Sequence, residues 1–211
     1  MWAVSSTWTA TRCTCWVKAR TSRRSWTTGS GYPVYGGEHS APDIDAGTGV
    51  DEMLSGGFEP EWTLLTVKSY DTRKALEDLE AALPCMSGVI SLQNGLGNLE
   101  AVAGAAPGKA VGGRVIFGAR TLEPGTVDVT VCADDVLLGP APGGPDGVDG
   151  VCDAFSRSGI PCRYEVRILS YVWDKVLYNV CLNALATLLG TDYGHLGGRG
   201  RDMGGHGNAL Q

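Results

Sequence analysis

The chain has 211 residues, enough for one large or two small domains, and carries 17 Lys and Arg against 23 Asp and Glu, a formal net charge of −6. That acidity argues against nucleic acid as a partner, and no run is apolar enough to span a membrane. Seven cysteines scattered through strand-like and helix-like segments read as reduced core thiols of a cytoplasmic protein. Cys13-Thr14-Cys15 has the look of half a metal site, but no second Cys or His pair stands at ligand spacing, so no metal centre is expected.

The first 37 residues differ from the rest. They hold five basic residues and no acid, leaving 12 basic against 23 acidic residues downstream, and four of the six tryptophans fall there (Trp2, Trp8, Trp16, Trp26) with neither helical nor strand periodicity. An Arg- and Ser-rich, acid-free leader resembles an organellar transit peptide, against which stand the tryptophans and the lack of an amphipathic repeat. The alternative is translation out of frame. Read from the third base of the Met1 codon, Met1-Trp2-Ala3 must give Val-Gly, Trp8-Thr9 must contribute Asp, and Cys15-Trp16-Val17 must give Leu-Gly. Residues 1–57 are therefore not expected to form the opening βαβ unit of a dinucleotide fold.

From about Phe58 the chain becomes orderly. Trp62 to Val67 is a Leu-rich run suited to a buried strand, and a helical stretch follows from Arg73 to Leu83 with Asp71 or Thr72 as N-cap. Val89 to Leu92 predicts the next strand, which runs into Gln93-Asn94-Gly95-Leu96-Gly97-Asn98 and then a helix of small residues. Ligands of α/β sheets lie beyond the carboxyl ends of the strands, where Lys68 and Asn94 fall. By itself Asn94-Gly95 is equally an ordinary turn.

Arg114 to Arg120, Thr126 to Cys132 and Asp135 to Leu138 read as further strands, the last two as antiparallel partners. Val151 to Ser158 predicts a helix closed by Gly159, and Pro161 to Ile168 a last strand. A second, helical region opens at Trp173-Asp174-Lys175. There Lys175, Asn179 and Asn183 recur every four residues and share one face at helical pitch. The intervening Val176, Leu177, Val180, Leu182, Leu185, Leu188 and Leu189 are oily enough to bury the rest, so the polar column should face a cleft. A cationic donor with two amides suits a small oxyacid that carries a carbonyl. After Leu189 the glycines from Gly190 to Gly207 cannot sustain a helix.

With VKSYDT, SLQNGLGN, ARTLEPGTV and WDKVLYNVCLNALATLLG in this order, the chain resembles the ketopantoate reductase family from about Glu59 to Tyr193. The resemblance implies an α/β fold: an incomplete Rossmann-type NADP-binding domain over residues 1–165, its first 57 residues out of frame. A truncated all-α substrate and dimerisation domain would begin at 166 and run to 211. It further implies NADPH-dependent reduction of ketopantoate to pantoate, on the way to coenzyme A, with intact relatives pairing as homodimers. Lys175 matches the catalytic lysine, Asn179 and Asn183 the amides that hold substrate hydroxyl and carboxylate groups, and Asn94 the residue beside nicotinamide and substrate. Lys68 and Ala119 match cofactor-contacting positions. The chemistry agrees, because hydride addition turns a ketone into an alkoxide that a lysine ammonium can polarise and protonate. His39, His195 and His206 lie in no comparable motif and are expected at the surface.

The chain departs from that pattern in two respects. No G-x-G-x-x-G fingerprint is present, since Gly29-Ser30-Gly31 lacks the third glycine, and Tyr193 stands where some members have a substrate-binding asparagine. The alternative to the enzyme is consequently a non-catalytic remnant, frameshifted and truncated, that keeps the substrate helix without the glycine-rich cofactor motif. The β-hydroxyacid and 6-phosphogluconate-type dehydrogenases are a third reading that fits the motifs less well.

Overall fold

The computed structural model describes residues 2–4, 13–16, 26–28, 37–39, 45–47, 49–57, 59–123 and 126–191. Of the residues in the frame reading, Met1, Trp8, Thr9 and Val17 fall outside these residues, as do Tyr193, His195, His206 and the glycine-rich tail beyond Thr191. The chain divides into two compact units, Met1–Val172 and Trp173–Gln211.

The first unit is mixed α/β. Its central strands are β6 (Trp62–Leu65), β7 (Gly88–Ser91) and β8 (Ala110–Arg114), all parallel, with Trp62 opposite Gly88 and Val89 opposite Ala110. Beyond β8 lie β11 (Val136–Pro140), antiparallel to it, and β12 (Cys162–Tyr164), parallel to β11. On the other side of β6 come β1 (Trp2–Val4), β2 (Cys13–Trp16) and β5 (Asp45–Gly47), which complete an eight-stranded order β12-β11-β8-β7-β6-β1-β2-β5. β1 is antiparallel to both neighbours, whereas β2 and β5 are parallel. Two hairpin-like sheets stand apart: β3 (Trp26–Thr28) with β4 (Gly37–His39), and β9 (Phe117–Glu123) with β10 (Thr126–Cys132).

Helices cover the parallel strands on both faces, which is why β7 reads as an unbroken buried run rather than an alternating one. α2 (Thr72–Leu79) turns Ala75, Leu76 and Leu79 inward, and α3 (Asn98–Ala105) contributes Leu99 and Val102. These pack with Leu65, Met86 and Val89 in one cluster. Trp62, Ile90, Val111, Val136 and Leu138 face the other way, against Val148, Val151 and Cys152 of α4 (Val148–Arg157). Adjacent residues Val89 and Ile90 thus feed different clusters, the two-residue period of a strand. Each fully buried side chain of this size contributes roughly 1.5–3 kcal/mol relative to exposure. A short α1 (Val50–Ser55) precedes β6.

Several expectations need correction. The single strand expected over Arg114–Arg120 is two strands, β8 ending at Arg114 and β9 starting at Phe117. β10 pairs with β9, its neighbour in sequence, and β11 pairs with β8, so β10 and β11 are not partners. The helix expected from Arg73 to Leu83 ends at Leu79, followed by a 3₁₀ turn at Leu83–Cys85 that contains Pro84. Asp71 is the N-cap residue of α2 but makes no side-chain cap bond. The strand expected to Ile168 stops at Tyr164, and Ile168 already opens α5 (Ile168–Leu189), five residues before Trp173.

The second unit contains the part of α5 from Trp173 onward. Among the described residues, no helix is long and apolar enough to cross a membrane.

Candidate active site

The carboxyl ends of β6 and β7 carry Lys68 and the Asn94 turn, and a connected set of side-chain hydrogen bonds joins the two loops. Gln93 Nε2 donates to the Val67 carbonyl at 2.7 Å and to Thr72 Oγ1 at 2.8 Å, while its Oε1 accepts from Ser91 Oγ at 3.2 Å. Thr72 Oγ1 in turn donates to Asn98 Oδ1 at 3.0 Å. Asn98 Nδ2 then donates to Ser69 Oγ at 3.0 Å and to the Asn94 carbonyl at 3.1 Å, and Ser69 Oγ donates to that same carbonyl at 3.1 Å. Donors and acceptors alternate along the chain, so the Thr72 and Ser69 hydroxyls each give one bond and receive another. Thr72, Ser91 and Asn98 are buried, and a satisfied network of that kind fixes its loops in one geometry.

Held by this network, Lys68 and Asn94 are both exposed at the same edge of the sheet. Gly95 (φ 92°) and Gly97 (φ 86°) take the left-handed conformation that only glycine adopts at low cost, and a Cβ on either would meet nothing within 4 Å. The space above the turn is therefore open to a ligand that approaches the backbone closely. Gly97 also precedes the first turn of α3, where its carbonyl accepts from Ala101 N at 3.0 Å. Ala119 is exposed on β9, opposite Val129 of β10.

In the second unit, Lys175, Asn179 and Asn183 lie within one unbroken helix, four residues apart, and so share a stripe of α5. Lys175 and Asn179 are half-buried and Asn183 is exposed; the Asn183 carbonyl accepts from Thr187 Oγ1 at 2.8 Å. Trp173, Leu177, Tyr178, Val180 and Leu188 are each more than half exposed. The helix thus places two of its three column residues, Lys175 and Asn179, at less exposed positions and several large apolar side chains in solvent, unlike an ordinary surface helix.

The structure brings together Lys68 and Asn94 on one edge, and Lys175, Asn179 and Asn183 on one stripe. His39 sits in β4, paired with Trp26. Sequence reasoning missed the supporting residues Ser69, Thr72, Gln93 and Asn98. Their only local signal is a surplus of polar residues beside the glycines of SLQNGLGN and in the SYDT that follows Lys68.

A second electrostatic feature lies at the end of β8. Arg114 is buried, donates from Nη2 to Asp134 Oδ2 at 2.6 Å and stacks its guanidinium 5.7 Å from the ring centroid of Tyr171. The Arg114 bond holds the Asp134 carboxyl below its ordinary range, helped by the Asp135 backbone N–H and the Arg163 charge against the opposing effect of partial burial. Arg163 also reaches Asp135 Oδ2 at 2.9 Å.

Residues 37–143 match the model of a protein family described as ketopantoate reductase PanE/ApbA, a match that begins upstream of Glu59, where the motif resemblance starts. The 2-dehydropantoate 2-reductase of Aquifex aeolicus (strain VF5) is 36% identical over 163 residues, covering 76% of this chain and 51% of that protein. Among solved structures, the 2-dehydropantoate 2-reductase from Porphyromonas gingivalis W83 superposes with a TM-score of 0.65 at 16% identity, covering 82% of this chain and 57% of that one. A D-mandelate dehydrogenase solved with NADH superposes with a TM-score of 0.60 at 21% identity, covering 75% and 49%. Both likenesses show the fold. The chain spans about half the length of the curated relatives it matches, between 43% and 51%.

Proposed function

The chain belongs to the ketopantoate reductase family, and from that premise we propose that it carries the substrate-binding and part of the cofactor-binding machinery for nicotinamide-dependent reduction of ketopantoate to pantoate, with NADPH as the reductant. The observation that carries this reading is the Lys175, Asn179 and Asn183 stripe on α5, a charged donor and two amides four residues apart in a largely apolar helix.

The donors on the sheet edge fit a dinucleotide. Lys68 supplies positive charge for a phosphate, and the open left-handed glycines beside Asn94 admit close approach of a planar ring to the backbone. Ala119 completes the cofactor-contacting set in this proposal. When bound, the nicotinamide supplies the hydride. Asn179 and Asn183 hold the substrate's hydroxyl and carboxylate groups and so fix which carbonyl face is presented. Asn94 orients substrate beside the ring. The Lys175 ammonium polarises the carbonyl oxygen and releases a proton to it as alkoxide charge develops, which a preorganised cation does at no cost in reorganisation.

One observation favours a second reading, a relative that has lost cofactor binding. β1 lies antiparallel to β6, whereas the opening strand of a dinucleotide fold runs parallel to its neighbours and leads into the phosphate turn. The two readings separate in one experiment on the purified chain. Saturable NADPH binding by calorimetry, followed by ketopantoate-dependent loss of NADPH fluorescence, is expected of the reductase. No binding heat and no turnover would leave the cofactor-free relative.

A further inference from the structure

Cys152 and Cys162 pack in the corner between α4 and β12, and neither belongs to the proposed site. Cys152 is buried at 4% exposure in the cluster with Val148 and Val151, and half-buried Cys162 packs against that cluster. The connection between them is short and tightly tied. Gly159 takes the left-handed conformation (φ 84°), and Ile160 N donates to the Phe155 carbonyl at 3.0 Å. Ser156 Oγ accepts from Cys162 N at 3.2 Å and donates to the Cys162 carbonyl at 3.3 Å. β12 is further registered on β11, with Cys162 opposite Val136. Ser156 lies one helical turn after Cys152 on α4, so its two bonds to Cys162 set both cysteines on the same corner, against one cluster.

From this juxtaposition we propose that Cys152 and Cys162 form a redox modification site, which a hydroperoxide converts to an intramolecular disulfide that fastens α4 to the edge strand β12.

The other thiols whose surroundings are described point elsewhere: Cys85 Sγ to the Ala82 carbonyl at 3.1 Å and Cys132 Sγ to the Asp134 carbonyl at 3.7 Å. Metal binding does not compete, because among the described residues no group of three or more His, Cys, Asp or Glu could hold an ion. The influence of each thiol on the other lowers the Cys152 thiol and raises that of Cys162. Burial and the charges of Asp149 and Asp153 oppose ionisation of Cys152, and burial and Asp135 oppose that of Cys162. In the proposed sequence the Cys152 sulfur attacks first.

Its thiolate displaces hydroxide or alkoxide from the hydroperoxide, breaking the O–O bond and forming a sulfenic acid. The leaving oxygen takes up the proton lost by Cys152. Cys162 sulfur then attacks the Cys152 sulfur, the S–S bond forms, and the sulfenic oxygen leaves as water with the Cys162 proton. Two thiols lose two electrons in total, and the hydroperoxide gains them. The two sulfurs must close to about 2.0 Å, a movement that side-chain torsions supply when the backbone separation is right.

The test uses the full chain, reduced and then treated with hydrogen peroxide, alkylated under denaturing conditions and cleaved on the amino side of aspartate. Cleavage at Asp149, Asp153 and Asp174 puts Cys152 and Cys162 in the separate peptides 149–152 and 153–173, and cleavage at Asp128 and Asp134 isolates Cys132. The expected product is a linked pair of those two peptides, lighter by about two hydrogens than their sum and separated by reductant. Oxidised protein should also unfold at a higher temperature than reduced protein, a shift absent from Cys162→Ser. The proposal is overturned if both cysteines remain fully alkylated at peroxide doses that oxidise exposed Cys85 and Cys181, or if either is recovered linked to a different cysteine.

Discussion

The Thr72 hydroxyl donates to Asn98 Oδ1 at 3.0 Å with both side chains buried, so the first residue of α2 is fastened to the first residue of α3 across 26 positions of sequence. Thr72 also accepts from Gln93 Nε2 at 2.8 Å. Thr72→Val keeps the shape but leaves an amide hydrogen and an amide oxygen without this partner. A buried polar group stranded in this way costs about 1–3 kcal/mol, so the denaturant midpoint should fall by that equivalent. The Asn94 turn should loosen as well, seen as faster hydrogen exchange at residues 94–97. Wild-type exchange there would show that the network does not hold the turn.

Gly139 is required by its surroundings rather than by its own backbone angles. A Cβ on it would lie 1.9 Å from the Glu165 carbonyl oxygen and 2.9 Å from Ile168 Cβ. The first of these belongs to the backbone and cannot rotate away. Gly139→Ala must push the segment after β12 off the sheet, and overpacking of this kind costs about 1–3 kcal/mol and often more. Gly150→Ala is the control, since a Cβ there meets nothing within 4 Å and replaces glycine inside a helix. Equal stability of the two variants would contradict the close approach.

Such contacts also explain what was legible in the sequence and what was not. β6 and β7 were visible because apolar runs at Trp62 and Val89 stop at polar residues. β8 was not, because two of its five residues are glycine, which weakens the strand signal while serving the packing. A Cβ on Gly112 would press on Leu99 and Ile168, and one on Gly113 would overlap Leu92. The polar stripe of α5 was visible because it repeats at helical pitch within one element. The network that holds Lys68 to Asn94 was hidden, since its bonds from Gln93 to Thr72 and from Asn98 to Ser69 span 21 and 29 positions and leave no local period.

Acid should weaken the β8 edge through Asp134. Its carboxyl is held below the ordinary value of 3.8, first by the Arg114 hydrogen bond, so the native state favours the ionised form. The stabilisation is complete above the unfolded carboxylate value and is lost as pH falls through the lower folded value. Arg114→Met removes the principal cause. The stability gap between wild type and variant should be largest near neutral pH and should narrow below about pH 4, where the unfolded carboxylate takes up its proton. A gap that widened with acid would reverse the sign of the argument.

The sharpest test of the proposed chemistry is Lys175. If its ammonium meets the oxygen that becomes an alkoxide, its contribution belongs to the transition state and not to cofactor binding. In protein that turns over ketopantoate, Lys175→Ala should lower kcat by ~10²-fold or more. NADPH affinity by calorimetry should remain nearly unchanged, because the cofactor contacts proposed here, Lys68 and Asn94, lie on the sheet edge between loops tied by the Gln93 and Asn98 hydrogen bonds. Asn183→Ala should separate from it by raising KM more than it lowers kcat, as expected for an amide that grips the substrate in ground and transition states alike. Near-normal turnover in Lys175→Ala would remove the lysine from its role and return the stripe on α5 to a structural feature of the helix.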